Sequence, residues 1–382
     1  MIAFLLCAVI SGSAFARVDF AAVLKRVIGT TFSSPASSSA PALLLETRCK
    51  QTGPNISIFY KKEGGLVITE GRGTYMKDAE GNTYLDCCNN VACVGHSHPA
   101  VVKAGQDELG KIQTNSRFLH PTQQRYLTKL LATLPAELGL DTVYLVNSGS
   151  EANDLALRIA QQATTAAQRG DVICVDHAYH GHTMALLGIS PYKWYQAKDG
   201  VNRQPDTTHV VPCPDTFRGK YRRSELAALA PQLSLSPAPS SAEVEEVSPP
   251  PPRQRGVLDD PPPHTHTPTH QPTQELGRLY AQHVEDIVAR TGGVGTFIAE
   301  SVISCGGQIV PPSGYLRRCH DAVRAAGGVC IADEVQTGFG RPGTAFWAFQ
   351  QHGVRPDIVT IAKPMVRVWP AWKRPPPLAS RH

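Results

Sequence analysis

The sequence predicts an α/β fold in which helices cover both faces of a mostly parallel β-sheet. Short runs of apolar and β-branched residues predict strands at 142–147, 172–176, 209–211, 296–299, 329–332 and 358–361. Segments with helical periodicity lie between several of these runs, and the clearest spans 150–168. Strands that alternate with helices are typical of parallel sheets buried on both sides.

The first part of the chain has a different pattern. Residues 67–69 and 83–85 flank a turn signal at 78–82, which predicts a β-hairpin. Helical periodicity follows at 99–112 and at 122–134. We therefore expect residues 47–110 to form an N-terminal segment and residues 111–365 to form the large α/β domain.

Three stretches fall outside these patterns. Residues 1–46 are predicted to be a poorly ordered or targeting leader: an apolar run at 2–10 is similar to a signal-peptide core, and the basic, Ser-rich part after it is similar to a mitochondrial presequence. Residues 231–272 hold 12 of the 31 prolines and predict a disordered insertion, with a proline-rich docking peptide as the alternative. Residues 366–382 show neither periodicity and are predicted to be an unrelated tail.

The composition and charge of the chain argue against several classes of partner. The 382 residues carry a formal net charge of +5, and their basic residues are scattered, so we expect neither a nucleic acid nor a membrane as partner. The ten cysteines include no CxxC pair, and we expect no metal site. Unpaired thiols favour a reducing compartment, hence a mitochondrial or cytoplasmic location over secretion.

Two turns that follow predicted strands have the composition of ligand-binding loops. Gly149 and Ser150 open a long helix, whose exposed N–H groups and positive dipole end favour a phosphate. A plain helix cap made by Ser150 is the alternative. The next strand leads to Tyr179 and His180, where an aromatic ring can stack on a flat ligand. A half-buried loop tyrosine is the alternative there.

Two later strands each lead to a chemically active group. Residues 329–332 are followed by Asp333 and Glu334, and a buried carboxylate needs a cationic partner such as a protonated pyridine nitrogen. A helix cap or a surface loop is the alternative for these acids. Residues 358–361 lead to Lys363, and burial disfavours the ammonium form of lysine, as imine formation requires. A solvated surface lysine is the alternative.

In this order and spacing, the four motifs resemble those of class-III aminotransferases, a branch of the fold-type I pyridoxal-phosphate enzymes. The segment Gly95-His96-Ser97-His98-Pro99 matches a fifth motif of that family. The resemblance covers residues 53–365 apart from the predicted insertion. It implies the fold of a fold-type I transferase and pyridoxal 5′-phosphate as the cofactor.

The resemblance also implies a role for individual residues. Lys363 would form the Schiff base with the cofactor and move protons, and Asp333 would pair with the pyridine nitrogen. Gly149 and Ser150 would bind the cofactor phosphate. The other cofactor-binding positions would be Tyr179 and Val335 on opposite faces of the ring, His180, Gln336 at the ring hydroxyl, and Glu300 towards the substrate.

Four stretches are similar to one subgroup, the phospho-lyases of phosphoethanolamine and 5-phosphohydroxylysine: residues 114–120, 189–193, 214–221 and 300–312. This similarity implies an enzyme that eliminates phosphate and ammonia from a phosphorylated amine. Arg117 and Arg218 are candidates to bind the substrate phosphate. An ω-aminotransferase and a truncated, non-catalytic remnant are the alternatives.

The family pattern continues beyond its lysine. Its members have a Gly-Asn-Gly turn there, then a threonine that reaches the partner subunit's cofactor and a C-terminal small domain, and they form homodimers or tetramers. This sequence has Val366-Arg367-Val368 in place of that turn. We therefore expect the small domain, and with it part of the dimeric active site, to be missing.

Overall fold

The computed structural model describes residues 40–53, 56–115, 117–196, 204–225 and 270–365. They form two compact units that divide between His120 and Pro121, whereas the predicted boundary lies between 110 and 111. Helix α1 (Ala40–Gln51) begins within the predicted leader. The predicted tail, and the predicted insertion as far as residue 269, lie outside the described residues.

A three-stranded antiparallel sheet forms the centre of the first unit. Its strands are β1 (Ile68–Arg72), β2 (Tyr75–Asp78) and β3 (Thr83–Leu85), paired in that order. The predicted hairpin was wrong in its first strand, because the turn at 78–82 joins β2, and not residues 67–69, to β3. The chain has already reversed direction after β1 at Gly73, which has a φ of 58°. Helix α2 (Pro99–Leu109) follows.

The second unit holds a five-stranded sheet in the order β5-β4-β6-β7-β8, in which every pair is parallel. The strands are β4 (Gln168–Val175), β5 (Thr208–Val211), β6 (Val294–Glu300), β7 (Val329–Asp333) and β8 (Ile358–Thr360). The helices are α3 (Pro121–Leu131), α4 (Gly149–Ala163), α5 (Met184–Leu187), α6 (Pro191–Gln196), α7 (His270–Thr291) and α8 (Tyr315–Ala325). Four short 3-10 helices complete the described elements: Lys61–Glu63, Ala136–Leu138, Arg223–Glu225 and Ala348–His352.

The strand predicted at 142–147 is not formed. These residues have no strand assignment, and Tyr144 is 65% exposed. A run of apolar and β-branched side chains can be accommodated by packing alone, as Val143 packs against the core, but a strand also requires a hydrogen-bonded neighbour. No neighbouring strand within the described ranges pairs with this segment.

Helices cover both faces of the parallel sheet, as predicted. Phe297 of β6 is fully buried in a core that includes Val284 of α7 and Leu316 of α8. The next residue, Ile298, is fully buried in a second core with Leu157 of α4. Successive side chains of a strand point to opposite faces, so the two cores lie on opposite sides of the sheet.

The strand order reverses direction between β4 and β6, which makes this point of the sheet's carboxyl edge a topological switch point. From β4 the chain moves to β5 on one side and then returns to β6 on the other. The loops that leave β4 and β6 therefore diverge, and α/β sheets bind ligands at such a switch point.

Among the described residues, every helix is too short or too polar to span a lipid bilayer.

A buried histidine in α8 predicts that the fold is sensitive to acid. His320 is 3% exposed, and burial, reinforced by the charge of Arg324, lowers its pKa to about 4. An unfolded chain binds this proton at about pH 6.5, so it binds more protons than the folded chain between these values. Stability must therefore fall as the pH drops through that window.

We expect the titration of His320 to lower the free energy of unfolding by about 3 kcal/mol between pH 7 and pH 4. Urea unfolding of the wild type and of His320→Leu across this range measures it, because leucine cannot titrate. Parallel pH profiles for the two proteins would contradict the prediction.

Candidate active site

The first turn of α4 is capped by Ser148. Its hydroxyl accepts a hydrogen bond from the Glu151 amide at 3.1 Å, and the Glu151 carboxylate accepts one from the Asn147 amide at 2.6 Å. The interpretation of Ser150 as the helix cap is therefore wrong. The Ser150 hydroxyl instead accepts a hydrogen bond from the His182 amide at 3.2 Å, which joins the start of α4 to the loop after β4.

Gly149 allows the start of α4 to approach two other segments of the sheet edge. A Cβ atom at this position would stand 2.9 Å from Val335 Cγ1 and 3.2 Å from Ala362 Cβ. Both distances are shorter than ordinary van der Waals contacts. The absence of a side chain thus brings the helix terminus against Val335, which follows β7, and against the residue before Lys363.

The Asp333 carboxylate lies at the carboxyl end of β7 and is 3% exposed. One oxygen, Oδ1, accepts a hydrogen bond from the Val335 amide at 3.0 Å. The other, Oδ2, lies 2.8 Å from His180 Nδ1 and accepts a hydrogen bond from Asn153 Nδ2 at 2.8 Å. The structure therefore brings together the predicted site residues Asp333, His180 and Val335.

The sequence analysis did not identify Asn153. It is 1% exposed, donates a second hydrogen bond to the His180 carbonyl at 2.8 Å, and accepts one from the Thr360 hydroxyl at 2.6 Å. One signal was available, since Asn153 lies four positions after Gly149 and therefore on the same face of α4. An asparagine in a helix gives no indication of its partners, however.

Lys363 follows β8 and is partly buried. Burial lowers the pKa of its ammonium group, while the thiol of Cys305 and the carboxylates of Glu300 and Asp333 act in the opposite direction. A larger fraction of Lys363 is thus uncharged at neutral pH than of an exposed lysine. An uncharged amine can act as a nucleophile and as a base.

Glu300 ends β6 and lies directly opposite Asp333 in the parallel pairing of β6 with β7. Its carboxylate accepts hydrogen bonds from the Ser304 hydroxyl and from the Tyr179 amide, the latter at 3.5 Å. Burial, and then the negative charge of Asp333, raise the pKa of Glu300. Glu300 thus links the β6 edge to the Tyr179 loop.

The Tyr179 ring stands beside a second aromatic ring and a cation. Its centroid lies 6.2 Å from that of Tyr192 in an edge-to-face arrangement, and Lys193 Nζ lies 5.4 Å from it. Gln336, the last of the predicted cofactor contacts, donates a hydrogen bond to Cys305 Sγ at 3.5 Å. Cys305 was part of a recognised stretch but was not predicted as a site residue.

Glu334, next to Asp333, has a structural role. Its buried carboxylate accepts hydrogen bonds from the Ser301 and Thr337 hydroxyls at 2.6 and 3.1 Å. It also accepts bonds from the amides of Ala348 and Phe349, both at 2.9 Å. Glu334 therefore holds the 3-10 helix Ala348–His352 against the ends of β6 and β7.

The two arginines proposed for the substrate phosphate lie in different units. Arg218 is in the loop after β5, where its side chain is 65% exposed and its Nε donates to the Asp215 carboxylate at 3.2 Å. Its Nη2 lies 3.2 Å from the position that a Cβ of Gly307 would occupy. Arg117 is exposed in the first unit.

Comparison with known proteins gives information on the family of this chain that is independent of the geometry above. The family model described as "Aminotransferase class-III" matches residues 59–248 and 232–370. A Drosophila melanogaster protein, "Alanine–glyoxylate aminotransferase 2-like", is 43% identical over 325 residues, which are 84% of this chain and 55% of that protein. A Caenorhabditis elegans protein, "Ethanolamine-phosphate phospho-lyase homolog 1", is 36% identical over 351 residues, which are 89% of this chain and 65% of that protein.

Solved structures agree with the sequence relatives. A phospholyase from Arthrobacter in complex with phosphoethanolamine superposes with a TM-score of 0.62 at 29% identity, over 84% of this chain and 63% of that one. A pyridoxal-phosphate-bound amine transaminase from an uncultivated Pseudomonas species has a TM-score of 0.61 at 26% identity, over 82% of this chain and 62% of that one. These matches confirm the predicted fold.

The chain spans between about half and two thirds of the length of these curated relatives. Within that span the family model covers well over half of the sequence, including every predicted cofactor contact. The predicted resemblance is thereby confirmed. The chain belongs to the class-III aminotransferase family, whose cofactor is pyridoxal phosphate.

Proposed function

We propose that this chain encodes the catalytic core of a pyridoxal-phosphate-dependent phospho-lyase, which converts a phosphorylated amine into an aldehyde, ammonia and phosphate. The cofactor-dependent part of the proposal is carried by the Asp333–His180–Asn153 cluster at the carboxyl edge of the sheet, the edge from which Lys363 follows β8. The phosphoethanolamine-bound structural relative and the nematode phospho-lyase homolog support this reaction over others of the family.

The residues present fit the cofactor. Asp333 is a buried carboxylate, and a cationic ring nitrogen is the kind of charge partner that a buried carboxylate needs. His180 Nε2 is buried and finds no hydrogen-bond partner within the described part of the chain. Gly149 and Ser150 begin helix α4, and the N–H groups and positive dipole end of a helix N-terminus suit a phosphate. We assign the phosphate to Gly149 and Ser150, the ring nitrogen to Asp333, and ring contacts to Tyr179, Val335, Gln336 and His180.

The roles of the protein groups follow from these positions. When bound, pyridoxal phosphate supplies an electron sink for negative charge on the carbon next to the substrate nitrogen. Lys363 Nζ, uncharged more often because of its burial, takes the proton from that carbon and later returns a proton. Glu300, with its raised pKa, lies at the same edge and can hold a proton beside the substrate.

The overall reaction balances with water as the second reactant. The C–O bond to phosphate breaks and phosphate leaves with the electron pair, while water displaces the amine nitrogen and leaves an aldehyde oxygen. Phosphoethanolamine would thus give acetaldehyde, ammonia and inorganic phosphate. A guanidinium can hold the phosphate by two parallel hydrogen bonds, and we assign Arg218 to it first. Arg117 stays a second proposal.

The second candidate is an aminotransferase, supported by the name of the Drosophila relative at 43% identity. It requires the same cofactor contacts and the same lysine. It differs in the fate of the nitrogen, which passes to an amino acceptor instead of being released as ammonia. A human relative at 33% identity is named as a mitochondrial protein, and a mitochondrial and a cytoplasmic location are both compatible with either reaction.

One experiment separates the two reactions. The purified chain, loaded with pyridoxal phosphate, is given phosphoethanolamine or 5-phosphohydroxylysine, and phosphate and aldehyde are measured; a parallel sample receives alanine and glyoxylate, and glycine is measured. We expect phosphate and aldehyde in equal amounts and no glycine. Glycine without phosphate would favour the aminotransferase. No product above that of Lys363→Ala would mean that this chain is not an enzyme by itself.

A further inference from the structure

We infer that Asn153, whose amide oxygen is held by the Thr360 hydroxyl, is a positioning residue that aligns three parts of the cofactor site. This inference rests on the proposed function. Neither residue was predicted from the sequence, and neither is among the assigned cofactor contacts. The inference is carried by three hydrogen bonds that one buried side-chain amide makes to three separate segments.

Three elements that meet at Asn153, namely α4, β7 and β8, are assigned to different parts of the cofactor in the proposal. Asn153 is on α4, one turn after Gly149 and Ser150, which are assigned to the phosphate. Its amide reaches Asp333, assigned to the ring nitrogen, at 2.8 Å. On its other side lies Thr360, three residues before Lys363, at 2.6 Å. One side chain therefore links the phosphate, the ring nitrogen and the reactive lysine.

The chemistry of its neighbours allows only one orientation of the Asn153 amide. The Asp333 carboxylate and the His180 carbonyl can only accept hydrogen bonds, so the NH₂ group must face them. The Asn153 oxygen then faces Thr360, whose hydroxyl must donate. A rotated amide would place its oxygen against a carboxylate and leave buried groups unsatisfied, which is costly. The Thr360 hydroxyl satisfies the remaining amide oxygen and so stabilises the orientation in which Asp333 receives a donor.

Thr360 is well placed for this task because it is itself fixed by the sheet. It pairs with Asp333 in the parallel register of β7 and β8, and its carbonyl accepts a hydrogen bond from the Glu334 amide at 2.9 Å. Its side chain is 4% exposed. Any movement of β8 relative to β7 would thus be transmitted to Asn153 and so to Asp333.

The central variant is Thr360→Val, which keeps the shape of the side chain and removes the hydroxyl. Its matched control is Thr296→Val on β6. Thr296 is fully buried, and its hydroxyl has no hydrogen-bond partner among the residues the structure describes. Thr360→Ser restores the donor. Asn153→Asp removes the donor that faces Asp333 and places an oxygen against its carboxylate. It is the variant to use if Thr360→Val does not fold.

The readouts are the dissociation constant of pyridoxal phosphate, from titration of the visible absorbance, and the midpoint pH of that absorbance. We expect Thr360→Val and Asn153→Asp to bind the cofactor about tenfold more weakly and to shift the midpoint pH. Thr360→Ser and Thr296→Val should remain close to the wild type. Unfolding in urea without cofactor reports the purely structural cost of each change.

Two results would overturn the inference, and they differ in what they mean for the proposed function. If the wild type binds cofactor and Thr360→Val matches Thr296→Val in both readouts, Asn153 is structural and the proposed function stands. If the wild type shows no absorbance that depends on Lys363, the proposed function fails and this inference fails with it.

Discussion

Replacing Lys363 with alanine should abolish the visible absorbance that the wild-type chain develops with pyridoxal phosphate. The proposed covalent attachment needs a primary amine at the end of β8, and no other residue assigned to the site supplies one. Turnover should fall on the order of 10³-fold or more, since the same group is the proposed proton carrier. Spectra of the two proteins, recorded at equal protein and cofactor concentration, measure the first effect.

Lys363→Arg is the matched control for this change. It keeps a positive charge and a long side chain but cannot form an imine, so it should also lack the absorbance. The wild type should gain absorbance with rising pH below the pH expected for an exposed lysine, because burial lowers the pKa of Lys363. Equal absorbance in the wild type and the alanine variant would show that attachment occurs elsewhere or not at all.

The adjacent acids Asp333 and Glu334 should respond in opposite ways to an isosteric change. Asp333→Asn removes the negative charge proposed to face the ring nitrogen, and we expect turnover to fall about 10²–10³-fold. Glu334→Gln disturbs a carboxylate that four donors hold in place. We expect it to lower the free energy of unfolding by about 3 kcal/mol, with turnover per folded molecule close to that of the wild type.

Urea unfolding and phosphate release, both measured on each variant, separate the two roles. The assignment would be contradicted if Glu334→Gln were the stable but inactive protein. The same outcome would identify Glu334, rather than Asp333, as the partner of the cofactor. A common effect on both quantities in both variants would indicate that the two acids form a single structural unit.

The sequence was most informative at positions where the residue type is unusual for its place in a strand or helix. Gly149 at a helix start, Asp333 at the end of a strand and Lys363 after another strand each left a structural alternative open when taken alone. Their order and spacing along the chain match the motifs of one family, and that resemblance implied their roles.

Partners between distant segments could not be predicted in this way. Asn153 appears in the sequence as an ordinary polar residue of a helix, and Thr360 as an ordinary β-branched residue of a strand. Their proposed role depends on hydrogen bonds that form only after β8, β7 and α4 have packed together. The strand predicted at 142–147 failed for the same reason, because the pattern of its side chains does not reveal whether a neighbouring strand is present.

The separation of these partners in the chain has a consequence for folding. Asn153 and Thr360 are 207 residues apart, and Asn153 and Asp333 are 180 apart. Contacts this distant form slowly, since the loop entropy is lost before the contact contributes any stability. We therefore expect the site to be completed when β8 docks, late in folding, so that the cofactor stabilises the finished domain by mass action and does not guide its early assembly.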